Sequence, residues 1–200
     1  MDLGRYQVYF LGAITIIGFP LIGFIINYFF QDDSFWLQFE SPFSLLYQIV
    51  VGVLYGTLSG IICWFVINSS FMRPSRIKYV SVMRELNMSY FDIVFISICA
   101  GVGEEILFRG VLQDFMGIII TSVIFVAIHG YIKWKDWRIT IYGLVMILII
   151  IGIGIMFETM GVVSPAIAHT VIDIILLTLI CKGNIDPDVL YISRSSDEEE

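Results

Sequence analysis

The sequence predicts an all-α fold, a polytopic bundle of about six transmembrane helices. Three observations predict it. Hydrophobic residues make up 58% of the 200 residues and charged residues only 14%, with a mean hydropathy of +0.89. A soluble domain is about 45–50% apolar and about 25% charged, so lipid is the expected solvent for most of this surface. Apolar runs close to the length that crosses a bilayer as a helix, about 20 residues, recur along the chain. Lysine and arginine collect in alternate connections between these runs.

The first run is Tyr6–Phe30, with Pro20 as an expected kink. The preceding residues lack a strongly basic segment, the run is too long for a signal peptide, and no A-x-A site follows. It therefore reads as a retained helix. The second run is Phe43–Ile67 and the third is Phe91–Gln113, which carries charges. The fourth is Phe115–Ile132, the fifth Ile139–Phe157 and the sixth Val162–Cys181. Ser164 and Pro165 read as the N-cap and first position of the last helix. The stretch Asn68–Tyr90 reads as the longest loop, too short for a soluble domain. With no repeats and no low-complexity segment besides the acidic tail Asp197–Glu200, residues 1–200 read as one membrane domain. Cys63, Cys99 and Cys181 lie in apolar stretches and read as small buried hydrophobes, not as disulfides or a metal site.

Charge placement sets the expected topology. With the N-terminus inside, the inside segments hold Arg5, Arg73, Arg76, Lys78, Arg84, Lys133, Lys135, Arg138, Lys182 and Arg194. The outside loops hold Asp32, Asp33, Glu40, Asp114 and Glu158 instead. Ten of the 11 basic residues thus sort to one side, which favours six spans with both termini in the cytoplasm; the expected location is the plasma membrane. No basic stripe with interleaved aromatics supports nucleic-acid binding.

The eleventh basic residue, Arg109, lies within a run. Ionisable groups inside a membrane helix are costly and by default mark function. Those expected in the spans away from their ends are Glu104, Glu105, Arg109, His129, His169 and Asp173, on the third, fourth and sixth helices only. The chain has 2 histidines and both are among them. In Gly103-Glu104-Glu105-Ile106-Leu107-Phe108-Arg109-Gly110, Glu105 and Arg109 are one turn apart and share a face, while Glu104 points elsewhere. Glu104 is thereby the free carboxylate, placed to act as a general base. Gly101, Gly103 and Gly110 keep this helix slim for a close neighbour. Phe125 and His129 are one turn apart, as are His169 and Asp173, so Asp173 can orient His169 or present its own oxygen. Counted from the basic side, Glu104 and His169 both come out about 20 Å deep, whereas His129 comes out shallower.

The pattern E-E-x-x-x-R, F-x-x-x-H and H-x-x-x-N/D, standing here as Glu104-Glu105…Arg109, Phe125…His129 and His169…Asp173, resembles the three motifs of the CAAX-protease and bacteriocin-processing (Abi) family. The resemblance covers about residues 92–179, the expected catalytic core. It implies a glutamate-dependent intramembrane endopeptidase without a cofactor. In that reading Glu104 and His129 activate a water, His169 and Asp173 line the oxyanion side, and Glu105 and Arg109 hold the first motif in shape. The last position is Asp where the prenyl-protein branch resembles H-x-x-x-N. An ionised Asp173 would repel an oxyanion, so it must be protonated or serve to orient His169.

The expected partners are a membrane-embedded protein or hydrophobic peptide as substrate, and the bilayer itself. One alternative is a zinc-dependent variant with Glu104, His129, His169 and Asp173 as ligands, although H-E-x-x-H is absent. Others are a non-catalytic immunity or regulatory protein on the same scaffold and a proton-coupled transporter, against which the absence of an inverted repeat counts.

Overall fold

A computed structural model of the protein describes residues 3–31 and 33–183. Asp32, Arg194 and the tail Asp197–Glu200 lie outside the described residues. Every regular element among the described residues is helical.

The chain opens with α1 (Leu3–Ala13), a π-helical turn (Ile14–Gly18) and α2 (Phe19–Phe30), which together form the span Tyr6–Phe30. Pro20 lies in the first turn of α2, directly after the π turn. Proline has no N–H to close the bond one turn back, and the chain widens into the π turn at that point. A 3-10 turn (Phe35–Phe39) follows, and then α3 (Leu45–Asn68). The Ser44 hydroxyl caps α3 by accepting from the Tyr47 N–H.

The expected loop Asn68–Tyr90 is instead mostly helix. After a 3-10 turn (Ser70–Met72), α4 (Arg73–Glu85) carries four of the basic residues. It is too polar to register as an apolar run, and its shape depends on what it lies against. Arg84 Nε donates to the Ile180 carbonyl at 3.0 Å, and Ser75 Oγ donates to Asp136 at 2.8 Å.

The capping box Ser89–Asp92 starts α5 (Tyr90–Leu107), which passes through a π turn (Phe108–Leu112) into α6 (Gln113–Ile128). The stretch Tyr90–Ile128 is one of five in the structure long and apolar enough to cross a membrane. It contains two of the expected runs. A straight helix would hold Glu104 and His129 about 37 Å apart, yet their side chains lie 3.3 Å apart. The chain reverses at Gly117, where φ is 72° and ψ 167°, a conformation open to glycine. The break therefore falls at Gly117 and not at Asp114.

The arm after Gly117, residues 118–128, is only about 16 Å long. It ends within the bundle, not at Ile132 as expected. This accounts for the shallow count obtained for His129. The chain leaves through Gly130 (φ 77°) and Tyr131, whose carbonyl lies 2.5 Å from where a Cβ on Gly143 would sit. Gly143 is well inside α7 (Trp137–Met160), which is capped by Asp136.

The last helix, α8, spans Val163–Lys182. Ser164 and Pro165 lie in its first turn, but Ser164 is not its N-cap. Val162 is, without a side-chain cap, because the reversal is made by Gly161 (φ 73°) and the Val162 N–H donates to the Gln38 carbonyl at 2.8 Å.

α8 is the centre of the bundle. Gly52 and Gly56 on α3 face the Ser164 and Ala168 carbonyls, and Gly60 faces Ile175. This small-residue stripe lets α3 and α8 pack backbone to backbone. α5 covers another side of α8. The basic segments, α4, Lys133–Arg138 and the end of α8, gather at one end of the bundle. The acidic loops gather at the other, where Gln31 reaches Asp114 and Gln113 reaches Glu158.

Candidate active site

All six expected site residues converge where α5, α6 and α8 meet. They form two layers. The inner layer is Glu105, Arg109 and His169. Glu105 and Arg109 are fully buried and His169 is 5% exposed. Arg109 Nε donates to Glu105 Oε2 at 3.0 Å, and His169 Nδ1 lies 2.9 Å from Glu105 Oε1. A carboxylate paired with a guanidinium only accepts, so the His169 proton on this side sits on Nδ1. Its Nε2 faces the cavity, 3.6 Å from Asp173 Oδ2.

Sequence spacing offered Asp173 either as the residue that orients His169 or as an oxygen facing the same space. The closer contact is to Glu105, so this one carboxylate ties the first motif to the third. No single-helix periodicity could reveal that bond, because it crosses between α5 and α8.

The outer layer is Glu104, His129 and Asp173. Glu104 Oε2 lies 3.3 Å from His129 Nε2 and makes no hydrogen bond. His129 Nδ1 donates to the Phe125 carbonyl at 2.7 Å, which leaves Nε2 as the basic nitrogen facing Glu104. A carboxylate and a basic nitrogen at this separation can share one proton, or draw on a water lying beside the pair.

Phe125 sets the spacing of the two histidines. Its ring stacks on His129 at 4.4 Å, meets His169 edge-on at 5.5 Å, and lies under the Arg109 guanidinium at 5.5 Å. Glycines bring the helices close enough. A Cβ on Gly101 would strike the Ala166 carbonyl and Thr170 of α8, and one on Gly103 would strike the backbone at Thr15.

A cavity of about 390 Å³ opens beside the site. His129, His169 and Asp173 line its polar end. Met146, Ile150 and Leu176 line its apolar wall, and Arg76, Tyr79 and Lys133 lie toward the basic end. Lys133 Nζ donates to Tyr79 Oη at 2.6 Å there, linking α4 to the loop after His129. Among the described residues no three His, Cys, Asp or Glu side chains converge in a metal-holding arrangement.

Two residues of the network were not expected. Gln113, 2% exposed, accepts from Arg109 Nη1 at 3.3 Å and donates to Glu158 at 2.7 Å. The signal was present: Glu105, Arg109 and Gln113 recur every four residues. An uncharged amide escapes a search for ionisable groups, and Glu158 reads as part of a loop.

Comparison with known proteins matches residues 86–175 to the family model described as type II CAAX prenyl endopeptidase Rce1-like. That interval holds all six site residues and nearly coincides with the stretch on which the resemblance rested. A relative, the uncharacterized protein YpbD of Bacillus subtilis (strain 168), is 35% identical over 82 residues, 40% of this chain and 41% of that protein. The chain thus spans less than half the length of this curated relative. No solved structure matches.

Proposed function

From residues 86–175 as an Rce1-like segment of the CAAX-protease and bacteriocin-processing family, within an integral multi-pass membrane protein, we propose that the chain is an intramembrane endopeptidase. The observation that carries the reading is the Glu104–His129 pair, 3.3 Å apart, with His129 and His169 both lining the cavity. Glu104 and His129 hold a water and take its proton as the oxygen attacks the scissile carbonyl carbon. The His169 ring, fixed through Nδ1 by Glu105 and acting as the imidazolium between Glu105 and Asp173, offers Nε2–H to the developing oxyanion. The proton taken from the water passes to the leaving amine, and the C–N bond breaks. Asp173 steadies His169 from the cavity side. No metal takes part in this scheme.

The cavity reaches Arg76, Tyr79 and Lys133 at the basic end, and most of its wall is apolar. A membrane-bound protein or hydrophobic peptide, cut near the basic face, fits this arrangement. With both termini and α4 in the cytoplasm, that face is the cytoplasmic one.

Glu104→Gln keeps side-chain size and removes the base. Quantitative proteomics of membranes from cells carrying the wild-type or Glu104→Gln protein is expected to show uncut substrate accumulating with the variant. Identical membrane proteomes would sink the protease reading. For the orientation, an impermeant thiol reagent added outside intact cells is expected to leave Glu85→Cys on α4 unlabelled, and to label it once the cells are opened. Ready labelling from outside would reverse the topology.

A further inference from the structure

The proposed hydrolytic centre needs a rigid His169, and the chain of contacts that holds it extends past Glu105 to the far end of α7. Arg109 is buried, and its Nη2 has no hydrogen-bond partner among the described residues. Two polar contacts aim the guanidinium: Nε to Glu105 at 3.0 Å and Nη1 to Gln113 Oε1 at 3.3 Å. The Phe125 ring supports its face. With Gln113 removed, one polar contact remains, and the guanidinium can swing about it.

The orientation of the Gln113 amide is itself determined. Nε2 donates to the Gly154 carbonyl at 3.1 Å and to Glu158 Oε1 at 2.7 Å. Both are acceptors, and together they use both amide hydrogens. Oε1 must then face Arg109. Turned over, the amide would set N–H against guanidinium N–H on one side and oxygen against two acceptors on the other. Gly154 makes room for this side chain, since a Cβ there would lie 2.8 Å from Gln113 Oε1.

We propose that Gln113 is a positioning residue for His169, acting through Arg109 and Glu105, with Glu158 as the clamp that fixes the Gln113 amide. Neither residue touches the cavity. The inference rests on the reading of the site as a hydrolytic centre only for its effect on rate. The positional effect on His169 stands apart from it.

The test uses the full chain in detergent micelles with ¹⁵N-labelled histidine, and reads the ring-nitrogen signals by NMR. With 2 histidines, His129→Asn assigns them. Gln113→Met is expected to move the His169 signals by several ppm and those of His129 far less. Glu158→Gln, whose amide oxygen still accepts from Gln113, is expected to leave them in place. Glu158→Leu is expected to move them as Gln113→Met does. Glu158 is exposed at the end of α7, so this variant supplies the answer if Gln113→Met does not fold. A folded Gln113→Met or Glu158→Leu protein with wild-type His169 signals overturns the proposal. On a membrane protein that accumulates uncut with Glu104→Gln, Gln113→Met is expected to lower kcat about 10–100-fold with KM near wild type. An unchanged kcat would also overturn it. If no protein accumulates with Glu104→Gln, the protease reading fails and the NMR comparison still decides the role of Gln113.

Discussion

Glu105→Gln is expected to destabilise the fold by about 3–5 kcal/mol, the usual cost of removing one partner from a buried ion pair. Glu105 and Arg109 are both fully buried, 3.0 Å apart, and Glu105 also meets His169 at 2.9 Å. Both neighbours present N–H groups. A carboxylate accepts from both, whereas an amide has one oxygen and must point its NH₂ at the other. One donor is then left facing a donor, and the Arg109 charge loses its counter-ion in a low-dielectric setting. Cleavage is expected to fall as well, because the His169 ring is released. The measurement is the unfolding midpoint in a denaturing-detergent titration, with cleavage assayed in parallel. Glu104→Gln is the control. Its Oε2 makes no hydrogen bond, so its midpoint is expected within about 1 kcal/mol of wild type. A Glu105→Gln protein as stable and active as wild type would show that the buried pair does not hold the site together.

The other large effect is steric. A Cβ at position 101 would lie 2.7 Å from the Ala166 carbonyl oxygen and 2.8 Å from the Thr170 amide nitrogen. These are backbone atoms of α8 and cannot turn aside as a flexible side chain would. Gly101→Ala must therefore push α5 and α8 apart, by something on the order of 1 Å. Glu105 and His169 sit on those two helices and meet across that interface. A misplacement of this size is expected to cost about 100-fold in cleavage rate, and the overpacking about 1–3 kcal/mol in stability. Gly18→Ala provides the contrast. Its Cβ would meet only Ile14 at 3.8 Å, an ordinary contact, and no loss of stability is expected. Wild-type cleavage by Gly101→Ala would show that the close approach of the helices is not needed.

The apolar runs and the sorting of Lys and Arg were sufficient for the membrane class, the helical fold and the gathering of the basic segments at one end. Both signals depend on local composition, since each span must satisfy its own backbone in lipid. The Glu105–Arg109 pair was equally legible, because a spacing of four on a helix is a contact by geometry alone. So was the set of intramembrane ionisable residues, whose placement in lipid is costly wherever the helices end up.

Four features were decided only by tertiary structure. The reversal at Gly117 shortens the arm that carries His129, and an apolar run does not record where a glycine takes a positive φ. α4 is polar along its length, and it is held by contacts to Ile180 and Asp136 that are remote in sequence. Glu105, not Asp173, is the closer carboxylate to His169, because α5 and α8 touch at Gly101 and place them 2.9 Å apart. Gln113 enters the network because the Gly154 carbonyl and Glu158 of α7 orient its amide. In the last three cases the determining contact joins residues far apart in the chain, where helical spacing carries no information and the packing of one helix against another supplies it.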